Sequence, residues 1–399
     1  MAHCISEKMF GLTQRNSAVR EMFEEGNRLA AIYGRENVYD FSLGNPNFPA
    51  PEKVREAVFD VLKTEPSSMV HGYMPNAGYP DVREAIACSL NSRFGTSFGV
   101  NNILMTVGAA GSLNVIFKTL LNPGDEVLAL APFFLEYKNY VENFEGVLTV
   151  VPANTNGFQP DAEAIGKAVT SKTKAVIINS PNNPTGVIYS SETIKSIAAV
   201  LNSKQEEYGH PIFIISDEPY RELAYDGVDV PWLTKLYRNT IVAYSWSKSL
   251  SLPGERIGYL VIPSEIDDYA LIFDAASIAN RILGFVNAPS LMQRVVMRCL
   301  NEKTDIGAYD SNRKMLYNAL KEAGFECAYP QGAFYMWVKT PCDDKEFSSL
   351  AKKYNILIVP GSSFACPGYV RIAYCVSPQT IEGAIPGFRK LAEELGLKQ

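Results

Sequence analysis

Residues 175–186 read Ala-Val-Ile-Ile-Asn-Ser-Pro-Asn-Asn-Pro-Thr-Gly, and the change of character in the middle of this stretch decides the fold. Its first half is a nearly continuous apolar run of strand length, the pattern of a strand buried on both faces of a parallel sheet. Its second half carries two prolines and a glycine, which fix the shape of a loop and present Asn183 with little freedom. The same kind of run recurs at 103–106, 126–131, 211–216, 241–245 and 258–262. Helical patterns lie between these runs. Pro80 and Asp81 open one of them, with Val82, Ala85, Ile86 and Leu90 on a single stripe. Strands alternating with helices predict an α/β fold built on a mainly parallel sheet.

The last third has a different texture. Residues 290–322 read as one long helix, followed by alternating stretches at 333–339 and 369–377 and a closing helix. This suits a smaller α+β domain. The expected division is an N-terminal segment, 1–50, packing with the small domain, a large domain over 51–288 and a small domain over 289–399. The Pro-rich stretch 44–51 is the irregular crossing between them.

Composition narrows the function. The 399 residues carry 37 basic and 43 acidic side chains, a formal net charge of -6. That excludes the basic footprint of a non-specific nucleic-acid binder. The seven cysteines are scattered, with no CxxC pair, so neither a zinc site nor a disulfide framework is indicated and a reduced, cytoplasmic protein is expected. His3, His71 and His210 have no partners at metal-ligand spacing. Residues 1–20 lack the apolar core of a signal peptide, and no apolar run reaches the roughly 18 residues of a membrane span.

In an open α/β sheet, ligands bind at the carboxyl ends of the strands. After 103–106 comes Gly108-Ala-Ala-Gly111, with a helical stretch from Ser112. Small residues there let a phosphate approach the backbone N–H groups at the helix start. After 211–216 comes Asp217-Glu-Pro-Tyr220. A carboxylate ending an apolar strand is costly unless it meets a cation. After 241–245 comes Trp246-Ser-Lys-Ser249, with Arg256 eight residues beyond Lys248. A lysine in a partly desolvated site can lose its proton and attack a carbonyl, and hydroxyls with an arginine suit a phosphate. Taken singly, these are a tight turn, a helix cap, a buried ion pair and a surface lysine. Set at the ends of successive strands, they offer a phosphate cradle, an acid for a ring nitrogen, an amide for a ring oxygen and a nucleophilic amine. One cofactor, pyridoxal phosphate, needs all four.

With these residues in view, the chain resembles the class I/II aminotransferases, which are fold-type I pyridoxal-phosphate enzymes of the aspartate-aminotransferase kind. The resemblance runs from about Tyr39 to Ser377 and rests on Ser180-Pro-Asn-Asn-Pro-Thr-Gly186, Ser216-Asp-Glu-Pro-Tyr220, Ser245-Trp-Ser-Lys-Ser249, Gly254-Glu-Arg-Ile-Gly-Tyr259, Gly332-Ala-Phe-Tyr335 and Val370-Arg-Ile372. It implies a seven-stranded, mainly parallel sheet sandwiched by helices, plus the smaller domain.

The resemblance also implies roles. Lys248 holds the cofactor and, with Asp217 and Tyr220, forms the catalytic set. Asp217 pairs with the ring nitrogen, and Tyr220 and Asn183 bond the ring oxygen. Ser245, Arg256 and the amides of Ala109 and Ala110 hold the phosphate, and Phe134 stacks on the ring. Arg371 and Gly44, together with Asn183, meet the substrate carboxylate. Tyr73 reaches the phosphate of a neighbouring subunit, which makes the protein a homodimer with shared sites. Two departures stand out: the phosphate loop lacks the hydroxyl that some relatives carry, and Pro219 stands where many have a β-branched residue.

The expected activity is transfer of an amino group from an L-amino acid to a 2-oxo acid. Two alternatives are a carbon–sulfur β-lyase, or an elimination like that of aminocyclopropane-carboxylate synthase, on the same fold, and a non-catalytic cofactor-binding sensor. The sensor reading lacks room for a DNA-binding domain in the roughly forty residues before the match. A nicotinamide dehydrogenase is disfavoured because no GxGxxG follows a strand.

Overall fold

The computed structural model describes residues 4–14 and 18–397, so His3 and part of the N-terminal stretch read for a leader lie outside the described residues. In chain order the strands are β1 (Tyr39–Asp40), β2 (Ile103–Thr106), β3 (Glu126–Leu130), β4 (Val147–Val151), β5 (Thr173–Asn179), β6 (Phe213–Asp217), β7 (Thr240–Ser245), β8 (Gly258–Val261), β9 (Tyr335–Lys339), β10 (Ile356–Leu357), β11 (Val359–Pro360) and β12 (Tyr369–Ala373). The chain divides into two compact units. One comprises residues 46–310 and 330–333, the other 1–45, 311–329 and 334–399. Against the expected divisions at 50 and 288, the N-terminal crossing falls at Asn45/Pro46. Residues 289–310 cluster with the larger unit because the helix Ser290–Met297 packs on the helices Glu52–Thr64, Ser67–His71 and Pro80–Phe94.

The larger unit is built on a seven-stranded sheet in the order β2-β8-β7-β6-β5-β3-β4. Every neighbouring pair is parallel except those made by β8, which runs antiparallel between β2 and β7. All residues of β2, β6, β7 and β8 are buried, as expected of largely apolar strands covered on both faces. One face is covered by the helix Pro80–Phe94, whose Val82, Ile86 and Leu90 share a core with Met105, Val242, Tyr244 and Val261. Burying each such aliphatic side chain contributes about 1.5–3 kcal/mol.

Three sequence expectations shift. The strand β4 is not among the spans read above. It is an edge strand paired only with β3, and Val147 and Val150 are exposed, so it has neither two-sided burial nor a loop motif to mark it. The single helix expected over 290–322 is two, Ser290–Met297 and Ile306–Glu322. The break is held by Thr304, whose N–H donates to the Ser249 carbonyl at 2.7 Å, and by Asp305, whose carboxylate accepts the Ala308 N–H at 3.0 Å. The strand expected over 211–216 is Phe213–Asp217: Pro211 has no N–H for a ladder, and Asp217 pairs with Ala243 as the last strand residue.

In the smaller unit, β11, β12 and β9 form an antiparallel sheet and β1 pairs with β10 in parallel. Its core includes Phe325, packed edge-on to both Phe347 and Phe388. Among the described residues no helix is long and apolar enough to cross a membrane, and no group of three or more His, Cys, Asp or Glu is placed to hold a metal.

Candidate active site

The register of the larger sheet brings the motif-bearing strand ends to one edge. Asn179 at the end of β5 pairs with Asp217 at the end of β6, and Asp217 pairs with Ala243, two residues before Ser245 ends β7. Gly258, the first residue of β8, lies between Ser245 and Thr106. Because β8 runs backwards, its start falls where the parallel strands end. Arg256, two residues earlier, is thereby delivered to the same edge.

Asp217 is the electrostatic centre. It is 5% exposed. Its Oδ2 accepts the Tyr137 hydroxyl at 2.5 Å, and the Asn179 amide donates to its carbonyl at 2.9 Å and approaches Oδ2 at 3.4 Å. Oδ1 is buried and has no hydrogen-bond partner in the protein. Burial pushes the carboxyl up to about 7, against the lowering effect of the Tyr137 hydrogen bond, while the charge of Glu218 raises it further. A buried acceptor left open on an acid with this environment is a seat for a cation. Glu218 itself is taken up by Ser216 and by a buried pair with Arg221.

The loop after β5 is held from within. Asn179 Oδ1 accepts the Asn183 N–H at 2.7 Å, and Asn182 Oδ1 accepts both the N–H and the hydroxyl of Thr185. The segment 330–333 closes on this loop: Gln331 and Gly332 both donate to the Gly186 carbonyl, and a Cβ on Gly332 would meet Pro181 at 2.6 Å. Tyr220, three residues beyond Asp217, is buried. Asn182 approaches the Pro132 carbonyl at 3.5 Å, placing this loop beside Phe134, which meets Tyr137 edge-on at 5.7 Å.

Lys248 lies half-buried on the short helix Trp246–Ser249. Ser245 caps that helix. Ser249 is tied down by the Tyr244 hydroxyl at 2.9 Å and, through its carbonyl, by Thr304. At the phosphate loop the helix starts at Gly108, not at Ser112 as expected, so Ala109 and Ala110 lie in its first turn, where N–H groups have no helical partner. Gly108 is left-handed at φ +82°, and a Cβ there would meet an Arg256 nitrogen at 3.0 Å. A Cβ on Gly258 would meet Gly108 Cα at 2.9 Å. The Arg256 guanidinium donates to the carbonyls of Pro253 and Val107 at 2.8 and 3.3 Å. The result is a bare, donor-rich cradle beside a guanidinium, which fits a phosphate. This cradle and the open oxygen of Asp217 together fit pyridoxal phosphate.

Arg371 and Gly44 belong to the smaller unit. Arg371 on β12 is buried, donates to the Ser42 carbonyl at 2.6 Å, and lies against the rings of Tyr335 and Phe364 at 4.6 and 4.8 Å. The Phe41 carbonyl accepts the Ala373 N–H, and Gly44 and Arg371 both lie against the Tyr335 side chain. A Cβ on Gly44 would run into the Tyr335 hydroxyl. Tyr73, in the larger unit, is 92% exposed. Tyr137 and Asn179 were not among the expected residues. Asn179 carried a signal, being the polar end of the decisive strand, whereas Tyr137 reads as an ordinary helix aromatic.

The fold and this edge place the chain in a class, the fold-type I pyridoxal-phosphate enzymes. Comparison with known proteins agrees and narrows it. The family model for aminotransferase class I and II matches residues 36–387. An aminotransferase structure from Eubacterium rectale is similar with a TM-score of 0.96 at 46% identity, covering 98% of this chain and 99% of that one. The aspartate aminotransferase of Thermus thermophilus, solved with maleate, has a TM-score of 0.85 at 27% identity, covering 98% of this chain and all of that one (100%). A probable aspartate/prephenate aminotransferase of Thermus aquaticus is 30% identical over 395 residues, 95% of this chain and 99% of the relative. The chain belongs to the aminotransferase class I and II family. It is a transaminase, and membership implies use of pyridoxal phosphate.

Proposed function

We propose that this transaminase holds pyridoxal phosphate on Lys248 and moves an amino group from an L-amino acid to a 2-oxo acid at the sheet edge described above. The observation that carries the reading is the buried Asp217 carboxylate, whose Oδ1 has no partner while the lysine-bearing helix begins at the end of the next strand. When bound, the cofactor supplies a carbonyl that carries the amino group and a ring that takes up the electrons released at the substrate α-carbon.

The protein does the rest. Asp217 Oδ1 holds a proton on the ring nitrogen. Tyr220 and Asn183 hydrogen-bond the ring oxygen, and Phe134 covers a ring face. Ser245, Arg256 and the amides of Ala109 and Ala110 hold the phosphate. Lys248 Nζ takes the α-proton and then returns it, acting as base and as acid. Arg371, a planar fork, binds the substrate carboxylate with the backbone of Gly44 and the amide of Asn183. The exposure of Tyr73 supports a homodimer in which this hydroxyl serves the phosphate of the partner subunit. None of the seven cysteines, all of them among the described residues, forms a disulfide, which fits a reducing, cytoplasmic setting.

The relatives named for aspartate and prephenate make aspartate the first donor to try. The test is the visible spectrum of the cofactor-loaded protein as amino acids are added one at a time without an oxo acid. Conversion of the yellow aldehyde form to the amine form identifies the donor. Retention of the aldehyde form with every amino acid, or release of ammonia in its place, contradicts the proposal.

A further inference from the structure

Tyr137 has no role in the site as assigned so far, yet its hydroxyl makes a shorter hydrogen bond to the buried acid than the Asn179 amide does. It sits on the helix Glu136–Asn143, 1% exposed, stacked on Phe133 at 6.3 Å and edge-on to Phe134. Its hydroxyl and the Asn179 amide both address Oδ2 of Asp217, and neither addresses Oδ1. The two carboxylate oxygens are chemically alike, so a half-turn of the side chain would exchange them. The donors on one oxygen break that symmetry.

We propose that Tyr137 is a positioning residue that fixes the Asp217 carboxylate with Oδ1 facing the cofactor and keeps the proton they share on the ring nitrogen. This deepens the cofactor assignment above and rests on it. The carboxyl and the ring nitrogen hold one proton between them, so the count is the same whichever side carries it. A donor to Oδ2 stabilises the carboxylate form and leaves the proton on nitrogen. Tyr137 keeps its proton and donates it to the carboxylate, because burial and the nearby Asp217 charge raise its own phenol well above the usual range. Burial of Asp217 and the charge of Glu218 push the other way. The further phenols on this side are Tyr140, pushed up to about 12 chiefly by burial and by the charge of Glu136, and the buried Tyr220. Without the Tyr137 hydroxyl, burial and Glu218 would draw the proton onto the carboxyl.

The test compares wild type and Tyr137→Phe, both loaded with ¹⁵N-labelled pyridoxal phosphate. It reads the ring ¹⁵N chemical shift, the cofactor dissociation constant and the melting temperature. In Tyr137→Phe the ¹⁵N shift moves towards that of unprotonated pyridine, and the cofactor binds several-fold more weakly, because this hydrogen bond is stronger to a carboxylate facing a charged ring than to the partly protonated carboxyl of the cofactor-free site. A cofactor analogue with carbon in place of the ring nitrogen binds both proteins within about twofold, since it has no proton to place. Replacing Tyr137 by a fluorinated, more acidic tyrosine keeps the ring and moves the ¹⁵N shift the opposite way. An unchanged ¹⁵N shift in both variants, or an equal loss of affinity for both cofactors, means that Tyr137 only packs, and overturns the proposal. Failure of the wild type to bind pyridoxal phosphate at all would instead sink the assignment on which it rests.

Discussion

At the scale of the residue, Asp217 carries a cost that function explains. In the cofactor-free protein its carboxyl stands at about 7 instead of 3.8, first because it is buried. Between those two values the folded carboxyl keeps a proton that the unfolded chain has lost. Stability therefore falls as pH rises through that window, and the full cost stands above it. The cofactor-free Asp217→Asn protein lacks an ionisable group here. Denaturant unfolding should find it more stable than wild type at about pH 8, by on the order of 2–4 kcal/mol, with the gap closing towards pH 4. The same pH dependence in both proteins would mean that Asp217 is not the group responsible. The variant should also bind cofactor weakly, because a neutral amide offers the ring nitrogen no charge.

At the scale of the element, legibility follows how local the cause is. The strands that end in Asn179, Asp217 and Ser245 were readable because each is an apolar run stopped by chemistry in the next few residues. The reversed direction of β8 was not readable, since nothing in Gly258–Val261 distinguishes a parallel from an antiparallel neighbour. That reversal is what brings Arg256 to the cradle. The helix start at Gly108 escaped because Gly-Ala-Ala-Gly serves equally as a loop, and only the closeness of Gly258 and Arg256 shows why no side chain fits there. The break between Met297 and Ile306 depends on Ser249, about fifty residues earlier in the chain. Tyr137 was the least legible. Its partner lies 80 residues away, and an aromatic on a short helix reads as packing. Partners distant in sequence leave no local periodicity to read.

At the scale of the whole molecule, the shared-site dimer is the proposal with the widest reach. Tyr73 is almost fully exposed although the chain on either side of it is well anchored. On one side the Ser290 hydroxyl donates to the Val70 carbonyl at 2.5 Å; on the other Asn287 donates to the carbonyls of Met74 and Pro75. A residue held out on a tied segment suits a partner's site. Lys248→Ala and Tyr73→Ala proteins should each be poorly active, and mixing them under conditions that exchange subunits should restore activity. Each hybrid then holds one site with both an intact lysine and an intact tyrosine. No recovery on mixing, or a monomer at working concentration, would confine Tyr73 to its own chain.

If Lys248 is the amine that holds the cofactor, the bond between them can be trapped chemically. The protein is loaded with pyridoxal phosphate, reduced with borohydride, digested and mapped by mass spectrometry. One pyridoxyl group per chain is expected, on the peptide containing Trp246-Ser-Lys-Ser249, and none in Lys248→Ala. A label on another lysine, or no label on a protein that remains folded, would contradict it.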